Sequence, residues 1–296
     1  MTEELKKLKI GKIVLNPKMS DYTTYKVGGE AIALVSPNSV DNLIKLLNYL
    51  KGNKIKYMVI GNGSNLIFSD KKYDGIIIKL DGLNNLEIND TVITVGAGYN
   101  LIKLSMKAAR LGLAGLEFAS GIPGTVGGAV YMNAGAYKSD MGYIVSEVKV
   151  LTPDLEIKTL YNRDLNFHYR SSFLQKNKDY ICLEAKLVLK KGDADIIREV
   201  IEERKQRRLL TQPLEYPSAG SVFRNPENDF AGRLIEELGY KGKNIGGAYV
   251  SDKHANFIIN KDKATASDVI ALINEIKTKV KEKYNIDLIV EQEIVD

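Results

Sequence analysis

The sequence predicts a mixed α+β protein with a domain boundary near residue 190, and three observations carry that prediction. Short apolar, β-branched runs recur along the chain, as at residues 57–60, 76–80, 92–95 and 180–189. Stretches with a helical apolar period and a recognisable cap stand between some of them. The composition shifts at Lys190-Lys191-Gly192-Asp193, a charged and small-residue interruption after a long strand-like run.

The bulk composition narrows the class. At 296 residues the chain is long enough for two or three subdomains, and 44% hydrophobic with 27% charged residues is ordinary globular composition. The single cysteine, Cys182, rules out an intrachain disulfide and fits a reducing cytoplasm. Its apolar neighbours Tyr180, Ile181 and Leu183 favour core packing over nucleophilic chemistry. With only His168 and His254 as histidines, no zinc cluster is expected, and no metal site is assigned. There is no apolar run of membrane-spanning length and no signal-peptide core at the start, so neither a membrane span nor export is expected. A net charge of +5 suits anionic small molecules as well as weak nucleic-acid binding. The densest basic run, Arg204-Lys205-Gln206-Arg207-Arg208, reads as a solvated helix face.

Taken in order, Thr23-Thr24-Tyr25-Lys26-Val27-Gly28-Gly29 leads into a short strand at 31–35. Ser39 can cap a helix whose Leu43, Leu46, Leu47 and Leu50 share one face, with Gly52 just past its end. The strand at 57–60 is followed by Gly61-Asn62-Gly63-Ser64-Asn65 and then Leu66-Ile67-Phe68. That loop reads either as a hairpin turn or as a nest of donors for a pyrophosphate. Gly96-Ala97-Gly98 opens like a dinucleotide fingerprint, but Leu101 stands where the third glycine belongs, so no Rossmann fold is assigned. A helix is expected over about 100–111, then paired strands at 144–151 and 156–161 around Thr152-Pro153-Asp154. Beyond the boundary come helices at about 194–210 and 267–284, a helix carrying Phe230, Leu234, Ile235 and Leu238, and a closing strand over 286–295. In that strand Glu291 is expected on the face opposite Leu288 and Val290.

The most informative stretch is Gly121-Ile122-Pro123-Gly124-Thr125-Val126-Gly127-Gly128, continuing to Gly135-Ala136-Tyr137: five glycines in seventeen residues, with no charge. Surface loops are usually polar, so such a run implies backbone packed closely against something, with amide groups able to approach a ligand where a Cβ would intrude.

In this order and spacing, Thr24-Tyr25-Lys26-Val27-Gly28-Gly29, Gly61–Asn65, Gly121–Tyr137, Tyr169-Arg170, Pro217–Pro226 and the Glu291 strand resemble the UDP-N-acetylenolpyruvoylglucosamine reductases (MurB). The short interval between Arg170 and Ser221 is similar to the type II branch. The resemblance covers residues from about 23 to the end. It implies a PCMH/VAO-type FAD-binding domain over 1–190, built of two α+β subdomains (about 1–80 and 81–190), and an α+β substrate-binding domain over 191–296. It also implies an NADPH-dependent flavoenzyme of peptidoglycan precursor synthesis that reduces UDP-N-acetylglucosamine enolpyruvate to UDP-N-acetylmuramate.

The same resemblance assigns the site. Non-covalent FAD would be held by Tyr25, by Gly61, Asn62, Gly63, Ser64 and Asn65, and by Gly121, Thr125, Val126, Gly127 and Gly128. Hydride would pass from N5 of the reduced flavin to C3 of the enolpyruvyl ether, and Ser221 would protonate C2. Arg170 would hold the substrate carboxylate through its fork, and Glu291 would polarise it. Around that glutamate the family's usual Pro-Glu-Val-Arg is here Val290-Glu291-Gln292-Glu293, which leaves Glu293 as the alternative position. Asn225 is a candidate substrate amide contact and Arg224 a candidate for the diphosphate, while His254 and Asn256 read as structural. No separate pyridine-nucleotide fold is visible, so NADPH and the sugar are expected to use one cleft in turn. The expected protein is a cytoplasmic monomer without nucleic-acid or membrane partners.

Two other classes compete. A different oxidase on the same FAD fold would often tether its flavin through histidine or cysteine, and neither glycine-rich loop contains one. A non-catalytic nucleic-acid-binding protein would be served by aromatics interleaved with the basic run, and residues 204–208 contain none.

Overall fold

The computed structural model describes residues 2–296. The chain divides into two compact units, each assembled from discontinuous segments. The first comprises Met1–Leu15, Ala33–Asn62 and Gly75–Lys205; the second comprises Asn16–Ile32, Gly63–Asp74 and Gln206–Asp296. The boundary expected near 190 therefore falls at 205–206, and two early excursions belong with the C-terminal residues. The composition break at Lys190–Asp193 marks the entry to helix Ala194–Thr211, whose buried Ile197 and Ile201 pack on Ala109 of the first unit.

The two larger sheets of the first unit fall on either side of about residue 80. One is four-stranded, in the order Gly11–Leu15, Ala31–Pro37, Tyr73–Lys79, Tyr57–Ile60. Its last pair is parallel, Tyr57 opposite Ile76 and Ile60 opposite Lys79. The other is five-stranded and wholly antiparallel, in the order Ile157–Tyr161, Val145–Leu151, Ile181–Val188, Val92–Gly96, Leu86–Asn89. The Thr152-Pro153-Asp154 turn joins its first two strands as the alternation predicts, with Leu151 opposite Ile157. Because Val92–Gly96 runs antiparallel to both neighbours, the G-x-G that follows it serves no Rossmann unit. Gly98 is there for space: a Cβ would lie 1.9 Å from the Leu80 carbonyl oxygen.

Helix ends follow their local chemistry. The Ser39 hydroxyl accepts from the Asn42 N–H at the head of Val40–Gly52, and Asn100 accepts from Lys103 at the head of Leu101–Arg110. Leu43, Leu46, Leu47 and Leu50 are fully buried, each worth roughly 1.5–3 kcal/mol of transfer free energy. Cys182 is buried too, and burial pushes its thiol up to about 12, in keeping with a packing role.

The second unit is built around helix Ala266–Tyr284, whose Val269, Leu272, Ile273, Ile276 and Val280 form one buried stripe. Thr265 and Asp268 close a capping box at its start. Against it lie the antiparallel strands Asn244–Ile245, Ala248–Val250 and Ile258–Asn260, with helix Ala231–Glu237. The excursion Gly63–Asp74 is tied in twice. Strand Leu66–Phe68 pairs in parallel with Glu293–Val295, and the Asp70 carboxylate accepts from the N–H groups of Ala266 and Ser267 and from the Ser267 hydroxyl.

Two expectations are corrected here. Strands Tyr57–Ile60 and Leu66–Phe68 are not hairpin partners, since each pairs elsewhere, so the intervening loop is no simple turn. The closing strand is only Glu293–Val295, with Val290 contributing a single bridge to Phe223. Leu288 and Gln292 are both buried, as a two-residue alternation from 286 requires, and the pattern shifts only within the strand itself, where Ile294 is exposed and Val295 buried.

Candidate active site

In the first unit the glycine-rich stretch enters helix Val126–Met132 through Thr125, whose hydroxyl accepts from the Gly128 N–H. The N–H groups of Val126 and Gly127 are bonded to the carbonyls of Tyr99 and Ala97. These three donors are thus spent within the fold and are not among the amide groups expected to approach a ligand. The glycines act mainly by leaving room. Gly124 is buried, yet nothing lies within 4 Å of where its Cβ would be, and at Gly128 only Thr125 Oγ1 comes close, at 3.4 Å. Gly61 abuts the same threonine, a Cβ there meeting Oγ1 at 2.8 Å. Gly61, Thr125, Gly124 and Gly128 so form a side-chain-free cradle that a Cβ would fill, which fits close approach of a flat cofactor.

The stretch continues into Asn133, which sequence reasoning passed over. Asn133 is 1% exposed and left-handed (φ 45°) at the helix C-cap. Its amide donates to the His168 carbonyl and its Oδ1 accepts from Gly142 N–H. A helix followed by Asn-Ala-Gly was the available signal for such a cap. His168 and Ser171 exchange backbone hydrogen bonds of 3.0 Å, closing a turn that carries Arg170. Arg170 itself has φ 51°, a conformation that costs a non-glycine residue about 1 kcal/mol or more. One guanidinium nitrogen donates to the Gly135 carbonyl at 2.8 Å, and the group lies 5.0 Å from the Tyr169 ring centroid. Tyr137 donates to the Arg204 carbonyl, with the Arg204 guanidinium 4.7 Å from its ring, so the basic helix face is not wholly solvated.

In the second unit, Ser221 sits in a turn after Gly220 (φ 73°). Asn256 reads this turn at both ends of one residue, its Oδ1 accepting from Phe223 N–H and its amide donating to Phe223 carbonyl, which makes it structural, as its sequence context suggests. Val222 carbonyl accepts from Glu291 N–H at 2.8 Å, so Glu291 lies alongside the Ser221 turn. Asn65 holds the other edge: its amide donates to Glu291 carbonyl at 3.0 Å, and its own carbonyl accepts from Glu293 N–H at 2.9 Å. Of the two glutamates, Glu291 is the one bonded to the serine turn. Gly63 (φ 63°) shapes the same loop, since a Cβ would meet Tyr22 carbonyl at 2.2 Å. Ser64 is half-buried beside it; Gly61 and Asn62 of the same loop belong to the first unit, along with Arg170 and Gly121.

Three expected contacts are changed by their surroundings. Tyr25 is 0% exposed in the core of the second unit, so its side chain has no surface to give a cofactor. Asn225 is exposed, but its Oδ1 already accepts from Ala231 N–H at the head of helix Ala231–Glu237. Arg224 donates its backbone N–H to the Ile289 carbonyl and is half-buried. His254 accepts from Asn256 N–H and packs edge-on to Phe257, and burial lowers its pKa, in keeping with a structural role.

Comparison with known proteins places both parts of the chain in known families. Residues 31–161 match the family described as "FAD binding domain". The fold and site thus define a flavoprotein oxidoreductase. Residues 212–295 match "UDP-N-acetylenolpyruvoylglucosamine reductase, C-terminal domain". The UDP-N-acetylenolpyruvoylglucosamine reductase of Anoxybacillus flavithermus is 47% identical over 100% of this chain and 98% of its own length. That of Bacillus subtilis is 45% identical over 99% of this chain and 97% of its own length. The crystal structure of UDP-N-acetylenolpyruvylglucosamine reductase (MurB) from Thermus caldophilus superposes with a TM-score of 0.82 at 35% identity, covering 96% of this chain and 98% of that one. The chain belongs to the UDP-N-acetylenolpyruvoylglucosamine reductase family.

Proposed function

We propose that this chain reduces UDP-N-acetylglucosamine enolpyruvate to UDP-N-acetylmuramate with NADPH, using Arg170, Ser221 and Glu291. Bound FAD would supply the redox chemistry that carries hydride from NADPH to C3 of the enolpyruvyl ether. The protein's own work is to hold the cofactor, orient the substrate carboxylate and deliver a proton to C2. Gly61, Gly124, Thr125 and Gly128 shape the cradle for the flavin nucleotide, with Asn62, Gly63, Ser64, Asn65, Gly121, Val126 and Gly127 completing the loops.

Charge develops on the carboxylate side as C3 is reduced. The Arg170 fork stabilises it, and an arginine held at positive φ supports a functional placement, since such strain persists where the surroundings enforce it. Glu291, as a protonated carboxyl, polarises the same carboxylate. Ser221 is a weak acid, so it protonates C2 only if the carbanionic centre is strongly basic and the hydroxyl is aimed at it. The observation that carries this assignment is the Glu291 N–H to Val222 carbonyl bond, which fastens the carboxyl residue beside the serine turn. Arg224 and the free amide edge of Asn225 serve the UDP portion. NADPH and the sugar occupy one cleft alternately, in a cytoplasmic monomer.

The test is an anaerobic absorbance trace of the purified protein. NADPH should bleach a flavin band, and UDP-N-acetylglucosamine enolpyruvate should restore it. Bleaching without return would remove the substrate assignment. Saturating sugar should also compete with NADPH; independent binding of both would contradict a shared cleft.

A further inference from the structure

Gln292 is a buried polar side chain that the reaction scheme leaves unused. It is 4% exposed, and its amide nitrogen faces three consecutive carbonyls, those of Ala219, Gly220 and Ser221, at 3.2, 3.3 and 3.4 Å. Convergence of three successive carbonyls on one donor requires the chain to curl around it, and Gly220, at φ 73°, supplies that curl. The backbone on either side of Gln292 is fixed as well, through Asn65 to Glu291 and Glu293 and through Val222 to Glu291. One side chain thus links the segment bearing Glu291 to the turn bearing Ser221.

The opposite end of the amide explains why it holds this orientation. Gln292 Oε1 and Tyr25 Oη are both buried. Turning the amide end for end would set Oε1 against three carbonyl oxygens in place of the donor they now share. Electrostatics therefore locks the observed rotamer.

We propose that Gln292 is a positioning residue for proton delivery, holding the Ser221 turn in register with Glu291 by gathering the carbonyls of residues 219–221. The proposal rests on the reading of Ser221 as the proton donor. It distinguishes the two half-reactions: flavin reduction needs no proton from Ser221, whereas reduction of the enolpyruvyl group does. A loss of register of about an ångström at a reacting group can cost up to about a hundredfold in rate.

The experiment compares wild-type, Gln292→Met and Ser221→Ala holoenzymes by rapid mixing without oxygen. Methionine keeps the volume and removes the donor. Each enzyme is reduced with dithionite and mixed with UDP-N-acetylglucosamine enolpyruvate; in a separate run the oxidised enzyme is mixed with NADPH. The expected result for Gln292→Met is reoxidation slowed about tenfold with a larger solvent deuterium isotope effect, and flavin reduction within about twofold of wild type. Ser221→Ala should slow reoxidation further still. Unchanged reoxidation in Gln292→Met beside a slow Ser221→Ala would overturn the proposal and leave the serine assignment standing, as would equal slowing of both half-reactions. Normal reoxidation in Ser221→Ala would sink the serine assignment and the proposal together. If Gln292→Met does not fold, Gln292→Asn, whose amide falls one methylene short, carries the same predictions.

Discussion

The Arg170 turn and the Ser221 turn solve one problem in different ways. Each presents a side chain proposed to act on the substrate from a tight turn whose backbone enters the left-handed region. In the first, the arginine itself carries the positive φ, and one buried amide, Asn133, bonds the turn's His168 carbonyl. In the second, the strain is moved to Gly220, where it costs little, and two side-chain amides, Asn256 and Gln292, hold the neighbouring backbone. The Arg170 turn therefore carries the strain on the functional candidate itself and has one side-chain amide as a brace, whereas the Ser221 turn places the strain on glycine and has two.

That contrast is sharpest in the response to substitution. Arg170→Gly should separate function from stability: turnover should fall about a hundredfold or more, as for loss of a charge-stabilising donor, while the melting temperature stays level or rises because glycine relieves the strain. A clear drop in melting temperature would mean that the arginine's contacts matter more to the fold than its backbone strain does. Asn133→Ala should cost about 2 kcal/mol in denaturant titration, since a left-handed cap and two bonds to backbone are lost at a buried site, and should raise KM for the sugar. Asn256→Ala leaves Gln292 in place, so activity should fall less than in Asn133→Ala for a similar loss of stability. Equal losses in both would erase the distinction between single and double bracing.

A smaller effect concerns the excursion that carries Gly63, Ser64 and Asn65. Burial raises the Asp70 carboxyl pKa, but the Ser267 hydroxyl and the N–H groups of Ala266 and Ser267 outweigh it and hold the pKa below its usual 3.8. A carboxylate with a depressed folded pKa stabilises above its unfolded pKa, and that contribution is lost as pH falls through the folded value. Asp70→Asn should thus cost about 1 kcal/mol at neutral pH, the usual worth of a helix cap, with the difference from wild type vanishing in acid below pH 3.8. A difference that persisted in acid would assign the effect to packing. Smallest of all, native Cys182 should resist thiol reagents near pH 8, because burial keeps its thiol protonated, and blocking it after unfolding is the positive control.

Much of this architecture was legible in the sequence because it is written in local chemistry. Ser39 caps the helix it was expected to cap, the helix expected from about residue 100 begins at Leu101, and the Thr152-Pro153-Asp154 turn joins the strands it separates. The six motifs pointed to the family through their order. What stayed hidden depends on pairing across long sequence separations. Nothing local announces that Leu66–Phe68 pairs with a strand more than two hundred residues on, or that Gly63–Asp74 joins the C-terminal unit. Tyr25 looked like a cofactor contact because it lies within a motif, yet the motif's conserved-looking geometry comes from Gly28, where a Cβ would strike Phe68, and the tyrosine is core. Gln292 was overlooked although the two-residue period places it on the face of Leu288 and Val290: a polar residue beside a glutamate of interest drew no notice, and its role appears only when residues 219–221 are folded over it.

The central claim is that protein-delivered acid protonates C2 while reducing equivalents enter at C3. Turnover with unlabelled NADPH in deuterium oxide, followed by proton NMR of the product, tests it directly. The account predicts deuterium at C2, with C3 bearing hydrogen from NADPH wherever flavin N5 does not exchange with solvent, so the measurement is made under single turnover with pre-equilibrated controls for that exchange. Deuterium absent from C2 would contradict the account, and the roles of Ser221 and Gln292 would fall with it.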